Sequence, residues 1–113
     1  MANYRNLTIW KKADELALLV YRLTKEFPKH ELFGITSQLR RAALSAPTNI
    51  VEGYNRKSKN ELRRFLDFAL GSLAEVEYLV GFAVKFGYLP ETEELTLLIE
   101  ETGKVLWSFQ KSL

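Results

Sequence analysis

Between Glu61 and Phe86 the chain carries two apolar rows side by side, and this stretch restricts the possible folds more than any other. One row reads Leu62, Leu66, Ala69, Leu73, Val76, Val80 and Ala83; the other reads Phe65, Phe68, Ser72, Glu75, Leu79, Phe82 and Phe86. Both step by alternating intervals of three and four, so at about 100° per residue they share one broad helical face. A helix in a lone four-helix bundle needs a single stripe to meet its neighbours. Two stripes therefore predict burial of the second against another subunit. The alternative is a small bundle with a wide apolar face.

The rest of the chain repeats the helical period. Ile9, Ala13, Leu16, Val20, Leu23 and Phe27 form the seam of a first helix over about 9–27, expected to start after Thr8 as its N-cap and to end before Pro28. Trp10, Ala17, Tyr21 and Thr24 make a weaker second row on it. Phe27 to Gly34 is a connection, and a second helix follows over about 35–56. The polar stretch Asn55 to Asn60 reads as a helix–helix turn, with Ser58 or Asn60 as the cap of the third helix, over about 61–86; a continuous helix through it is the alternative. Gly87 suits a C-terminal cap and Leu89-Pro90 starts the next turn. The fourth helix, about 91–112, has Glu91, Glu93 and Glu94 at the positive end of its dipole and a seam of Leu95, Ile99, Thr102, Leu106, Phe109 and Leu113. With no repeat and no strand pattern, the chain is expected to be one all-α domain over 1–113, an up-down-up-down antiparallel bundle.

Gln38 to Lys59 stands out within that frame. Small residues (Ala42, Ala43, Ala46 and Gly53) crowd one face, which lets another helix come close. A polar row of Gln38, Ser45, Asn49, Glu52 and Arg56 runs beside the apolar row Leu39, Ala43, Ala46 and Ile50. Pro47 removes a backbone donor in mid-helix and is expected to kink or loosen it locally. Together these features describe a helix packed on two sides.

Chemistry has little to stand on. The 113 residues contain no cysteine, which excludes disulfides and thiol chemistry, and the sole histidine, His30, sits in a connection between Lys29 and Glu31. No Glu-x-x-His pair, no GxSxG elbow and no glycine-rich phosphate loop is present. Glu52 and Glu75 are the one candidate carboxylate pair, more readily read as salt-bridge or capping partners. Neither metal nor cofactor is expected, and the reading is of a protein that is not an enzyme. The start MANYRNLTIWKKADE lacks a signal-peptide pattern, and apolar runs such as Leu79 to Val84 are too short to span a bilayer. A cytoplasmic protein without membrane contact is the expectation.

Charge is the better lead. The net charge is only +2, yet residues 1–64 hold 13 basic and 6 acidic side chains (+7), while residues 65–113 hold 3 and 8 (−5). Arg40, Arg41, Arg56, Lys57, Lys59, Arg63 and Arg64 surround the second helix and the turn after it, against Glu52 and Glu61 alone. Such residues attract phosphates whatever the base sequence, and repetition around an oligomer multiplies a modest patch. The competing reading is a solvated helix end with local ion pairs, Arg56 with Glu52 for example. Tyr54 is a further candidate, for base stacking or for the core.

The segments QLRRAALSAPTNIVEGYNR and FLDFALGSLAEVEYLV, with the opening LTIWKKADELA, resemble a family over nearly the whole chain. The family is the small bacterial four-helix-bundle proteins encoded in intervening sequences of 23S ribosomal RNA genes, similar in turn to the accessory protein of diversity-generating retroelements. The most specific pieces are Pro47, Asn49-Ile50, Glu52-Gly53, Arg56, Gly71-Ser72 and Glu75; Val51 stands where a small alanine is usual. The resemblance implies a ring-like homopentamer with a non-enzymatic role, either binding RNA or DNA or serving as an adaptor for a nucleic-acid enzyme. Asn49, Glu52 and Arg56, and Ser72 with Glu75, are then expected to form a buried polar contact between helices or subunits, with Gly53 and with Phe65, Phe68 and Phe82 of the second stripe as further contact residues. The rival expectation is a structural or protein-interaction scaffold without nucleic-acid binding.

Overall fold

The computed structural model describes residues 3–113, and among them there are four α-helices and no strand. They are α1 (Thr8–Thr24), α2 (Ile35–Tyr54), α3 (Lys59–Phe86) and α4 (Glu93–Lys111), with short 3-10 turns at Tyr4–Asn6 and Lys29–Glu31. Each helix packs closely against two others in a closed cycle: α1 on α2 and α4, and α3 on α2 and α4, the backbones of the diagonal pairs staying further apart. The short connections make consecutive helices antiparallel. The molecule measures 43 × 25 × 20 Å, and the 28 residues of α3 account for its long axis at about 1.5 Å each.

The core consists of the seams expected from the period. Leu16, Val20, Leu39, Ile50, Leu66, Val76 and Leu106 are almost wholly enclosed. On α3 the two rows part company. The first is covered by the chain's own helices, whereas Phe68, Glu75, Phe82 and Phe86 of the second remain exposed, with Tyr78 beside them.

The helix ends correct some sequence expectations and meet others. Thr8 is the first residue of α1 instead of its cap; Leu7 holds the extended cap position and no side chain closes that end. At the other end α1 stops at Thr24, three residues before Phe27. The Thr24 hydroxyl turns back onto the Val20 carbonyl at 2.8 Å, and Lys25, Glu26 and Phe27 continue in tighter i→i+3 bonds as Pro28 approaches. Ser58 caps α3, accepting from the Asn60 and Glu61 amides at 3.1 and 3.3 Å, so the chain breaks at 55–58 and no continuous helix forms. Thr92 caps α4, accepting from the Leu95 amide at 3.2 Å, which leaves Glu91 outside the helix. Gly87 has a left-handed φ of 91°, and the Tyr88 and Gly87 amides return to the Ala83 and Val84 carbonyls, closing α3 in a Schellman motif.

α2 and α3 pack most extensively. Ala42, Ala43, Ala46, Pro47 and Gly53 are all buried, and these small side chains set the close approach. Pro47 does not break the helix. Around it the Thr48 hydroxyl donates to the Leu44 carbonyl at 2.7 Å and the Asn49 amide donates to that of Ser45 at 2.8 Å, so side-chain donors supplement the ladder.

Candidate nucleic-acid interface

The basic residues picked out from the sequence fall in three separate places. The largest group sits on the α2–α3 turn at one end of the bundle, where Arg56, Lys57, Lys59 and Arg64 are exposed and Arg63 is half-buried. The turn brings the end of α2 against the start of α3, which stacks charged residues around one aromatic pair. The Arg56 guanidinium lies over the Phe65 ring at 4.8 Å, and that of Arg64 over Phe65 and Phe68 at 5.1 and 5.5 Å. Phe65 itself is buried, edge-on to Phe68 with ring centroids 5.7 Å apart. These rings hold the two arginines upright at the surface.

Two of these cations are partly compensated. Arg56 pairs with Glu52 at 3.5 Å, and Arg64 makes a forked contact to Glu61 at 2.9 and 3.3 Å. The hydrogen bond from Arg64 holds the Glu61 carboxyl below its ordinary range, with the charges of Arg64 and Arg56 adding to the effect, and the same bond raises the Arg64 guanidinium. Arg63 turns toward the end of α4, donating to Asn60 Oδ1 at 2.9 Å and to the Leu113 carbonyl. Lys57 and Lys59 have no ion-pair partner among the described residues. The turn therefore offers two uncompensated ammonium groups flanked by two planar guanidinium groups, a set suited to phosphate oxygens.

Arg40 and Arg41 do not join it. Arg40 lies 14 residues before Tyr54, the last residue of α2, about 21 Å along the axis from the start of the turn. It faces α1, where its Nε donates to the Thr24 hydroxyl at 2.8 Å and its plane covers the Tyr21 ring at 4.8 Å. Arg41 lines a groove between α2 and α3 with Gln38, Ser45, Ser72 and Glu75.

That groove contains part of the polar motif. The Ser72 hydroxyl donates to the Ser45 oxygen at 2.7 Å, and Asn49 Nδ2 approaches the same oxygen at 3.0 Å. The Ser45–Ser72 contact fixes the register of the two helices. Glu75 is thereby level with Ala42, ten residues from Glu52, or about 15 Å along α2. The two carboxylates are both exposed and do not share a site. Gly53, by contrast, is buried where the helices touch: a Cβ there would lie 2.7 Å from that of Phe65. Tyr54 is half-buried at the end of α2.

One arrangement has no counterpart in the sequence reading. Thr24, Lys25, Lys29, Thr36 and Arg40, with the apolar Phe27, Pro28 and Leu32, line a cavity of about 410 Å³ between the end of α1 and the start of α2. Of its two lysines, Lys25 falls at the end of the helix expected over 9–27 and Lys29 in the connection after it, and only the fold carries them to Thr36 and Arg40. Elsewhere, Tyr88 donates to Glu31 at 2.8 Å, with His30 Nε2 3.5 Å from the same hydroxyl. No helix among the described residues is long and apolar enough to cross a membrane.

The model of a family described as 23S rRNA-intervening sequence protein matches residues 5–108. Among solved structures, the chain is similar to a protein of unknown function from the S23 ribosomal protein family of Bacteroides thetaiotaomicron. That crystal structure shares 25% sequence identity and a TM-score of 0.81, covering 92% of this chain and 99% of that one. No curated protein matches the chain.

Proposed function

The chain belongs to the 23S rRNA-intervening sequence protein family, and from that premise we propose a non-enzymatic homo-oligomer that binds RNA or DNA through its α2–α3 turns. The observation that carries this reading is the cluster at the turn: Lys57 and Lys59 without acid partners, between the ring-supported guanidinium groups of Arg56 and Arg64. Lysines left uncompensated in the single chain are available to phosphates, and backbone phosphate contacts need no base-specific geometry.

The oligomer, a ring of five subunits in this reading, is supported by the second row of α3. Phe68, Tyr78, Phe82 and Phe86 are exposed along it, and Phe33 is 94% exposed. A soluble protein rarely leaves so many large aromatic side chains along one helix uncovered. A neighbouring copy that covers them also repeats the basic turn around the ring. The motif groove of Gln38, Arg41, Ser45, Ser72 and Glu75 lies between the same two helices, so Arg41 and Glu75 are available to partners from the next subunit.

The test is binding of a structured RNA and a DNA duplex across a salt titration, for the natural protein and for K57A/K59A. The natural protein is expected to bind both, with affinity falling steeply as salt rises. The variant should keep its native mass and lose about two units from the slope of log K against log salt, close to one per phosphate contact. Absence of binding at low salt would overturn the reading in favour of a protein-interaction scaffold, whose basic turn is met by the carboxylates of another chain.

A further inference from the structure

We propose that the cavity between the end of α1 and the start of α2 is a built oxyanion site that takes a phosphate group, distinct from the basic turn at the other end of the bundle. Three independent features meet there. The first is charge. Lys25, Lys29 and Arg40 all line the cavity, no carboxylate does, and none of the three has an ion-pair partner among the described residues. Three cations so grouped repel one another, and an anion between them removes that cost.

The second feature is a buried hydroxyl. Thr36 is 3% exposed and lines the cavity, and its Oγ1 is the one buried side-chain polar atom among the described residues without a hydrogen-bond partner. An enclosed donor left unmade is costly, and a ligand oxygen is the ordinary way to satisfy it. The third is the position of Thr36 in the first turn of α2, a 20-residue helix whose positive end favours an anion. With its N-cap residue the helix start reads Gly34-Ile35-Thr36-Ser37, and the Ile35 amide reaches Glu31 Oε1 only at a long 3.4 Å.

Arg40 is the fixed member of the set. Its Nε donates to the Thr24 hydroxyl at 2.8 Å, an Nη reaches the Tyr21 carbonyl at 3.5 Å, and the Tyr21 ring supports its plane. These contacts pre-orient the guanidinium and leave its other N–H groups for a ligand. Lys25 and Lys29, both exposed, line the cavity from the connection. The dianionic charge and several acceptor oxygens of a phosphate monoester match two ammonium groups, a guanidinium fork and a hydroxyl. A carboxylate supplies half as many.

The experiment is titration of the full isotope-labelled chain with inorganic phosphate, exchanged against chloride at constant ionic strength and followed by amide chemical shifts. Saturable shifts confined to about residues 24–40 are expected. K25Q/K29Q should weaken the binding about tenfold or more, and K57Q/K59Q should leave it unchanged. Thr36→Val replaces the hydroxyl by a methyl of the same shape. It should raise the melting temperature of the free protein and weaken phosphate binding several-fold, two effects of opposite sign that a merely structural threonine would not produce. A nucleoside 5′-monophosphate and a dinucleoside with a single internal diester distinguish the source of the group. Saturation by both marks a site that reads nucleic-acid backbone, and saturation by the monophosphate alone marks a terminal phosphate. Shifts that do not saturate, that centre on the α2–α3 turn, or that survive K25Q/K29Q unchanged would overturn the proposal.

Discussion

Gly53 shows how much one missing Cβ can decide. Alanine at that position would gain about 1 kcal/mol of helix propensity. Its Cβ, however, would lie 2.7 Å from Phe65 Cβ and 3.1 Å from Leu62 Cδ1. The leucine tip can swing aside; the phenylalanine Cβ is fixed to its backbone. Relief therefore requires α2 and α3 to separate next to the basic turn, and overpacking of this kind costs about 1–3 kcal/mol. The clash wins. Gly53→Ala is expected to lower the melting temperature, and an unchanged or higher value in thermal unfolding would refute the close approach. Gly53 could be singled out in the sequence because it continues a row of small residues. Thr36 could not, because nothing in a sequence reveals that a threonine hydroxyl is enclosed without a partner.

At the scale of the elements, periodicity carried nearly everything. The seams of all four helices are the core, and of the two rows of α3 the first is covered, whereas the second buries Phe65 and Leu79 and leaves Phe68, Glu75, Phe82 and Phe86 exposed. Helix ends were less legible because several polar residues compete for each cap. Thr8 has the right chemistry yet is helical, since the preceding 3-10 turn at Tyr4–Asn6 delivers the chain with Leu7 already in the cap position. Of Ser58 and Asn60, Ser58 wins because its extended backbone aims the hydroxyl at the Asn60 and Glu61 amides. Ser58→Ala should cost about 1 kcal/mol and lower the melting temperature by roughly 4 °C. Calorimetry that finds no change would mean the start of α3 is held by packing alone. The basic set was legible in composition but not in place: most of the length of α2 separates Arg40 from Arg56 in the turn beyond it, and a list of charges takes no account of that distance.

At the scale of the whole molecule, one chain leaves two of its surfaces without partners. Its own core is complete, yet one face of α3 keeps large aromatic side chains in water and one end keeps lysines without counter-charges. The proposed assembly would cover the first, and the proposed polyanion would neutralise the second. Burial of Phe82 and Phe86, stacked at 5.7 Å and 44% and 63% exposed, would yield about 1–2 kcal/mol per ring on association, roughly half the value for a fully exposed side chain. The measurement that tests this most directly is native mass spectrometry of the full chain with and without a short structured RNA at low salt. The account predicts a particle of five chains that gains the mass of bound RNA. A single chain at every concentration, with no RNA attached, would contradict it.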